Sequence, residues 1–343
     1  MFRHLLRCAI IAFALSPVAA VAAPITLKLA FFSSDRSITY RTGIKPFIEA
    51  VNAEAKGLVE IVLYSGGVLG RENAKQPQIV LDGTADIAFV VPGYTPERFP
   101  DSMVLELPGL FRDMREATLA YTQLIADNAL KGYENFVVIG AYVTEPVTIH
   151  SRPPINSIAD LKGKRIRVNN IGAGAALEKL GAVPVLMEVT RITDAISSGS
   201  IDGAAVSNTP LSDYGIKRVA AYHYFLHIGG APLALLMNRK KFDELPKPAQ
   251  DIIRKYSGEW AAARFIEAYE VFDEQLMQQL KPDLQRKIIF PSQPDLDRAQ
   301  VAFTSVIEEW AEKSTHNREL LNRVDAEIAK VRSTAKGSDA VTR

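Results

Sequence analysis

Apolar and polar residues alternate across residues 26–31, with Leu27, Leu29 and Phe31 on one side and Thr26 and Lys28 on the other. A period of two predicts a strand. The period lengthens across residues 43–55, where Ile44, Phe47, Ile48 and Val51 recur at helical spacing. Residues 59–64 predict a second strand, ended by Gly66-Gly67. A helix is expected over about residues 71–82, with Pro77 either kinking it or marking a late start, and Gly83 capping it. The wholly apolar run 87–91 predicts a strand covered on both faces. Further strands are expected at 136–139, 147–149, 165–168 and 232–237, and helices at 172–180 and 191–198. Two long helices are expected at 248–280 and about 295–331, with a disordered tail over 333–343. Strands alternating with helices predict an α/β architecture with mainly parallel sheets.

The amino terminus follows a different rule. Arg3 and Arg7 precede an apolar run from Ala9 to Leu15, and Ala20-Val21-Ala22 supplies a small-x-small cleavage pattern. Charge, apolar run and small residues in that order predict a signal peptide over residues 1–23, hence a periplasmic mature protein. Its removal takes two cations and no anions, moving the formal charge from +1 to −1. A balance so near zero gives no field to hold nucleic acid or an anionic membrane. The only cysteine, Cys8, lies in the leader, so the mature chain has no disulfide, thiol nucleophile or Cys-based metal site. With 343 residues, 48% of them hydrophobic, the chain is long enough for two lobes.

Three segments carry a family pattern in order. The first is Gly66-Gly67-Val68-Leu69-Gly70-Arg71-Glu72 followed by Leu81-Asp82-Gly83-Thr84-Ala85-Asp86-Ile87-Ala88-Phe89. The second runs from Pro153-Pro154-Ile155-Asn156-Ser157 through Asp160-Leu161-Lys162-Gly163-Lys164 to Arg165-Ile166-Arg167-Val168. The third is Ser198-Gly199-Ser200-Ile201-Asp202-Gly203, and Leu107-Pro108-Gly109-Leu110-Phe111-Arg112 fits the same pattern. The ordered set resembles the DctP-like solute-binding proteins of tripartite ATP-independent periplasmic (TRAP) transporters. The resemblance implies a two-lobed periplasmic-binding-protein-like fold with hinge strands and a long connecting helix. The expected division gives residues 24–146 and about 232–270 to lobe I, and 147–231 and about 271–332 to lobe II.

In 165–168 the strand period puts Arg165 and Arg167 on one face. An arginine presents a planar fork suited to a carboxylate, and the resemblance implies that Arg167 is the residue that pairs with it. Asn170 follows where the family places a second polar ligand, although an ordinary turn asparagine fits the same position. Near the third block an ungapped reading offers Val206 at the ligand-facing position and a two-residue shift offers Asn208, which also fits a helix N-cap before Pro210. In lobe I the candidates are Ser34, Arg36, Glu72 and Tyr94, all after predicted strands, where open α/β sheets bind ligands. Where sialic-acid-binding relatives carry charged ligands, this chain has Val91, Tyr94 and Val147. That difference favours a smaller or more apolar acid.

His223 and His227 have the spacing of helical metal ligands, but no third ligand is evident, and helix-surface or cleft-edge histidines are expected instead. No G-x-S-x-G, P-loop or G-x-G-x-x-G is present. The reading is a monomeric binding protein, not an enzyme, without cofactor or metal. Its partners would be a small organic acid, mono- or dicarboxylate, and TRAP membrane subunits, with uptake driven by an ion gradient. A sensor subunit for a membrane kinase, or an exported enzyme on the same fold, are the alternatives; Arg36 or Arg71 facing inward would favour a dicarboxylate.

Overall fold

The computed structural model describes residues 23–341, so the leader expected over residues 1–23 lies almost wholly outside the described residues. The strands are β1 (Ile25–Ala30), β2 (Val59–Tyr64), β3 (Ile87–Val90), β4 (Phe136–Val143), β5 (Thr148–Ser151) and β6 (Arg165–Val168). They continue as β7 (Val183–Leu186), β8 (Gly203–Val206), β9 (Tyr222–Tyr224), β10 (Pro232–Asn238) and β11 (Lys287–Ile289). The helices are α1 (Lys45–Glu54), α2 (Gln76–Leu81), α3 (Met114–Ala126), α4 (Ile171–Lys179), α5 (Ile192–Ser198) and α6 (Thr209–Asp213). The remaining five are α7 (Arg239–Asp243), α8 (Lys247–Lys255), α9 (Glu259–Leu280), α10 (Gln293–Ala311) and α11 (Thr315–Val341).

Two sheets form, one per lobe: five strands in the order β2-β1-β3-β10-β4, and six in the order β11-β9-β5-β8-β6-β7. Both are mixed. β10 runs antiparallel to β3 and β4, and β5 runs antiparallel to β8 and β9, while the other pairings are parallel. The antiparallel strands adjoin the crossings between lobes. Residues 144–147 lead from β4 to β5, and 225–231 lead back from β9 to β10. The two segments are laddered by Thr144 N–H to Ala231 O at 3.0 Å and Ile228 N–H to Val147 O at 2.9 Å. A strand that returns beside the one that left must run antiparallel to it, which is why the sheets are less parallel than the pattern predicts.

α9 is the third connection. Phe265 and Tyr269 sit in the core beneath the first sheet, and Leu276 and Leu280 in a core of the second lobe with Ile192, Ile196 and Leu211. The long helix expected over 248–280 is two helices, α8 and α9, separated at Gly258, whose φ of 61° and ψ of −123° belong to glycine. The run expected over 295–331 is likewise two. α10 packs on the second lobe through Ala302, Phe303 and Val306, and α11 returns to the first lobe through Leu320, Leu321, Val324 and Ile328. The expected division, which gave all of 271–332 to lobe II, therefore fails for α11. α11 continues to Val341 through the expected tail.

The expected helix over 71–82 starts late: a 3-10 turn (Asn73–Lys75) leads into α2, with Pro77 in its first turn. Before α1 the chain makes a π-helical turn (Thr39–Ile44). Gly43 within it lies so close to α9 that a Cβ there would stand 2.0 Å from the Phe265 ring.

Candidate ligand-binding site

The lobes enclose a cavity with about 660 Å³ of space not filled by protein, its open mouth included, within the range of small-molecule sites. One wall is aromatic and comes from the first lobe: Phe31 and Phe32 follow β1, Phe89 lies on β3 and Tyr142 on β4. Phe89 meets Phe31 edge-on with centroids 5.5 Å apart and is flanked by Phe32 at 5.7 Å. Thr39, Tyr269 and Tyr142 form a hydroxyl chain, with 2.6 Å and 2.8 Å between successive oxygens.

The facing wall carries the charge. Arg167, 2% exposed, sits on β6 between β7 and β8. Its Nε donates to Met187 O at 2.8 Å, Nη1 to Ala205 O at 3.2 Å and Nη2 to the Tyr94 hydroxyl at 2.8 Å. A guanidinium has five N–H donors, so two remain without a partner among the described residues. Burial pulls its pKa down, and the groups that oppose this are the hydroxyls of Tyr94 and Tyr214, not a carboxylate. Arginine stays cationic at neutral pH regardless. Arg167 is thus a buried cation with no acidic partner among the described residues, an arrangement costing several kcal/mol unless an anion joins it.

Tyr94 closes a 3-10 turn (Pro92–Tyr94) that follows β3, with Pro92 fixing φ at its start. Its hydroxyl accepts from Arg167 Nη2 and, at 2.9 Å, from Val189 N–H. Having accepted twice, it retains its own hydrogen to donate. Burial raises its pKa further, so that hydrogen stays in place.

Arg167 and Tyr94 are the two sequence candidates that line the cavity. Asn170 does not. Its side chain accepts from Ala173 N–H at 2.7 Å and caps α4. The neighbouring Asn169 lines the cavity instead, 4% exposed, with no partner for its Nδ2 among the described residues. Asn208 also turns away, donating to Asp273 on α9, while Val206 and Ser207 lie on the wall. Glu72 is exposed and pairs with Lys75 at 2.8 Å. Ser34 accepts from the backbone N–H of Arg36 at 3.1 Å, and Arg36, like Arg71, faces solvent. These loop residues follow strands as expected but do not line the cavity.

Val91 and Val147 are both on the wall. Phe31, Phe32, Phe89, Tyr142 and Asp213 were not among the candidates. For Asn169 the signal was available: the period of two that pairs Arg165 with Arg167 continues to Asn169. Arg165 itself lies at the open end of that face and pairs with Asp202 at 3.3 Å. His223 is not on a helix. It is buried on β9, its Nδ1 2.9 Å from Nδ1 of His150, and burial lowers both pKa values, His223 to about 4.

The family model "Bacterial extracellular solute-binding protein, family 7" (DctP) matches residues 31–314. The chain belongs to this family. Among curated relatives, the sialic acid-binding periplasmic protein SiaP of Vibrio cholerae is 27% identical over 253 residues, 70% of this chain and 76% of that protein. Across five curated relatives the matched stretch covers 65% to 76% of their own length. Among solved structures, a TRAP solute-binding protein of Rhodoferax ferrireducens with copurified benzoate is 26% identical, with a TM-score of 0.80, and the match covers 91% of this chain and 99% of that one. A marine-metagenome TRAP protein specific for aromatic acid ligands, solved with 3-hydroxybenzoate, is 25% identical with a TM-score of 0.82, covering 90% and 99%. This family-7 chain is accordingly a TRAP solute-binding protein with the two-lobed α/β fold. No helix among the described residues is long and apolar enough to cross a membrane.

Proposed function

We propose that this protein captures a small aromatic carboxylate between its lobes in the periplasm and passes it unchanged to TRAP membrane subunits for ion-gradient-driven uptake. The observation that carries this reading is Arg167: buried, cationic, without an acidic partner, and with two N–H donors unassigned in an aromatic cavity. A carboxylate supplies the missing charge, and both its oxygens can be met by the fork. The Tyr94 hydrogen and the Asn169 amide add neutral donors on the same wall. A planar ring matches the Phe31, Phe32 and Phe89 side, since offset and edge-on aromatic contacts add to area burial. Two relatives at 25% and 26% identity were solved with 3-hydroxybenzoate and benzoate, which supports the same ligand class here. A polyhydroxylated acid would leave its hydroxyls against Val91, Val147 and Val206.

Calorimetry with benzoate and 3-hydroxybenzoate tests the proposal. Arg167→Ala is expected to cost roughly 3–5 kcal/mol, on the order of 10²–10⁴ in affinity, and Arg167→Lys most of that, because a point charge does not reproduce the fork. An Arg167→Ala protein that binds within a few-fold of wild type would refute the assignment.

A further inference from the structure

Two ionic side chains line the cavity, and they have opposite signs: Arg167 and Asp213. Asp213 ends α6, and both its oxygens stand 3.2 Å from Ile38 N–H, across the cleft on the first lobe. One N–H fills one of the roughly four acceptor positions a carboxylate offers. Burial raises the Asp213 pKa to about 6, with Arg41 the one nearby cation opposing the shift. The group is therefore mostly ionised at neutral pH. No ion pair joins Arg167 and Asp213 among the described residues: Asp213 meets Ile38 N–H, while Arg167 meets Met187, Ala205 and Tyr94.

An anion in the wall of a site for an anionic ligand is unfavourable unless a donor meets it. Building on the carboxylate reading above, we propose that Asp213 determines specificity: the ligand carries, beside the carboxylate held by Arg167, a hydroxyl or ammonium group that donates to Asp213. A ligand lacking the donor leaves a desolvated carboxylate facing apolar walls. A second carboxylate in that position is repelled by like charge, so the site selects against dicarboxylates as well as for donors. This separates the mono- and dicarboxylate alternatives, since Arg36 and Arg71, the cations a dicarboxylate would need, face solvent.

The test is calorimetry on ligand-stripped protein with benzoate, 3- and 4-hydroxybenzoate, 3-(aminomethyl)benzoate and isophthalate, on wild type, Asp213→Ala and Asp213→Asn. The quantity read is the ratio of Kd for benzoate to Kd for the best donor-bearing probe. In wild type it should be about tenfold to a hundredfold, the worth of a hydrogen bond to a charged acceptor, with isophthalate weakest. Asp213→Ala should bring the ratio to within about threefold. Asp213→Asn, which keeps an acceptor without charge, should retain part of the hydroxyl preference while relieving the exclusion of isophthalate. Its cooperative melting separates a change of preference from misfolding. A preference unchanged in Asp213→Ala, or isophthalate binding to wild type as tightly as benzoate, overturns the role of Asp213 and leaves the carboxylate reading standing if Arg167→Ala still abolishes binding. Failure of every acid to bind overturns both.

Discussion

Asn169 and Asn170 are neighbours in sequence with unrelated tasks, one facing the cavity and one capping α4. Replacing Asn169 with alanine should weaken acid binding by on the order of tenfold and leave the melting temperature nearly unchanged. Asn170→Ala should do the reverse, costing about 1 kcal/mol of stability for the lost cap; calorimetry and thermal melts on the two variants check both. A family pattern locates such a pair to within a residue, and the strand period then decides which one points inward. Arg167 was legible because its chemistry and its register agreed. Asp213 was not, because nothing local marks a carboxylate whose partner, Ile38 N–H, is 175 residues away. Glu145, buried at the crossing, is a further residue of this kind. It accepts from the Thr209 hydroxyl through one oxygen and has no partner for the other among the described residues, and burial lifts its pKa to about 8. Glu106 is lifted to about 8 by the same cause. An acid kept neutral in the fold stabilises it fully below the unfolded pKa, near 4.5, and that contribution drains away as pH rises toward about 8. His150 and His223, held neutral, act in the opposite sense below about pH 6.5. The melting temperature should therefore fall between about pH 6.5 and about pH 8, and Glu145→Gln should flatten that slope; an equally steep slope in the variant would count against a neutral Glu145.

At the level of elements, the strands with strong periodicity were legible and the weak ones were not. β1, β2, β3, β6 and β10 announce themselves by alternation or by continuous apolar runs. β8, Gly-Ala-Ala-Val, is too small-chained to mark itself, and β7 is an edge strand that tolerates Pro184. Helix ends were misjudged where glycine rather than periodicity decides. The apolar spacing passes smoothly over Gly258, yet that residue breaks the run and lets α9 set off in its own direction. Gly43 acts through closeness: it allows the π-helical turn that carries Thr39 into the cavity to rest on the Phe265 ring, which in turn stacks on Tyr142 at 4.1 Å. Gly43→Ala should destabilise the protein by about 1–3 kcal/mol through overpacking. Phe265→Leu in the same chain should recover part of the loss, as a chemical-denaturation series would read out.

For the whole molecule, the pattern foretold an α/β chain and the ordered motifs foretold two lobes. How the lobes share the chain was hidden, since that depends on contacts far apart in sequence. Tyr94 is one of the points where they meet at the ligand site, joining the first lobe to Arg167 and Val189 of the second, as Ile38 joins it to Asp213. Tyr94→Phe removes both acceptor contacts, so the ligand-free variant should be more open, with a larger radius of gyration by X-ray scattering, and should bind acids about tenfold less tightly. An unchanged scattering curve and affinity would show that the hydroxyl holds nothing. The return of α11 to the first lobe bears on when that lobe can form at all. Its sheet needs β10 between β3 and β4, and the flank of α3 is covered only when Leu320, Leu321, Val324 and Ile328 arrive. Neither half of the protein is a continuous stretch of chain, but the second lobe has all its core residues once α10 is made, while the core over α3 waits for α11. Loop closure over such distances is slow, so topology sets the order of assembly: the second lobe can close while α11 is still unplaced, and the first lobe is the last to be finished.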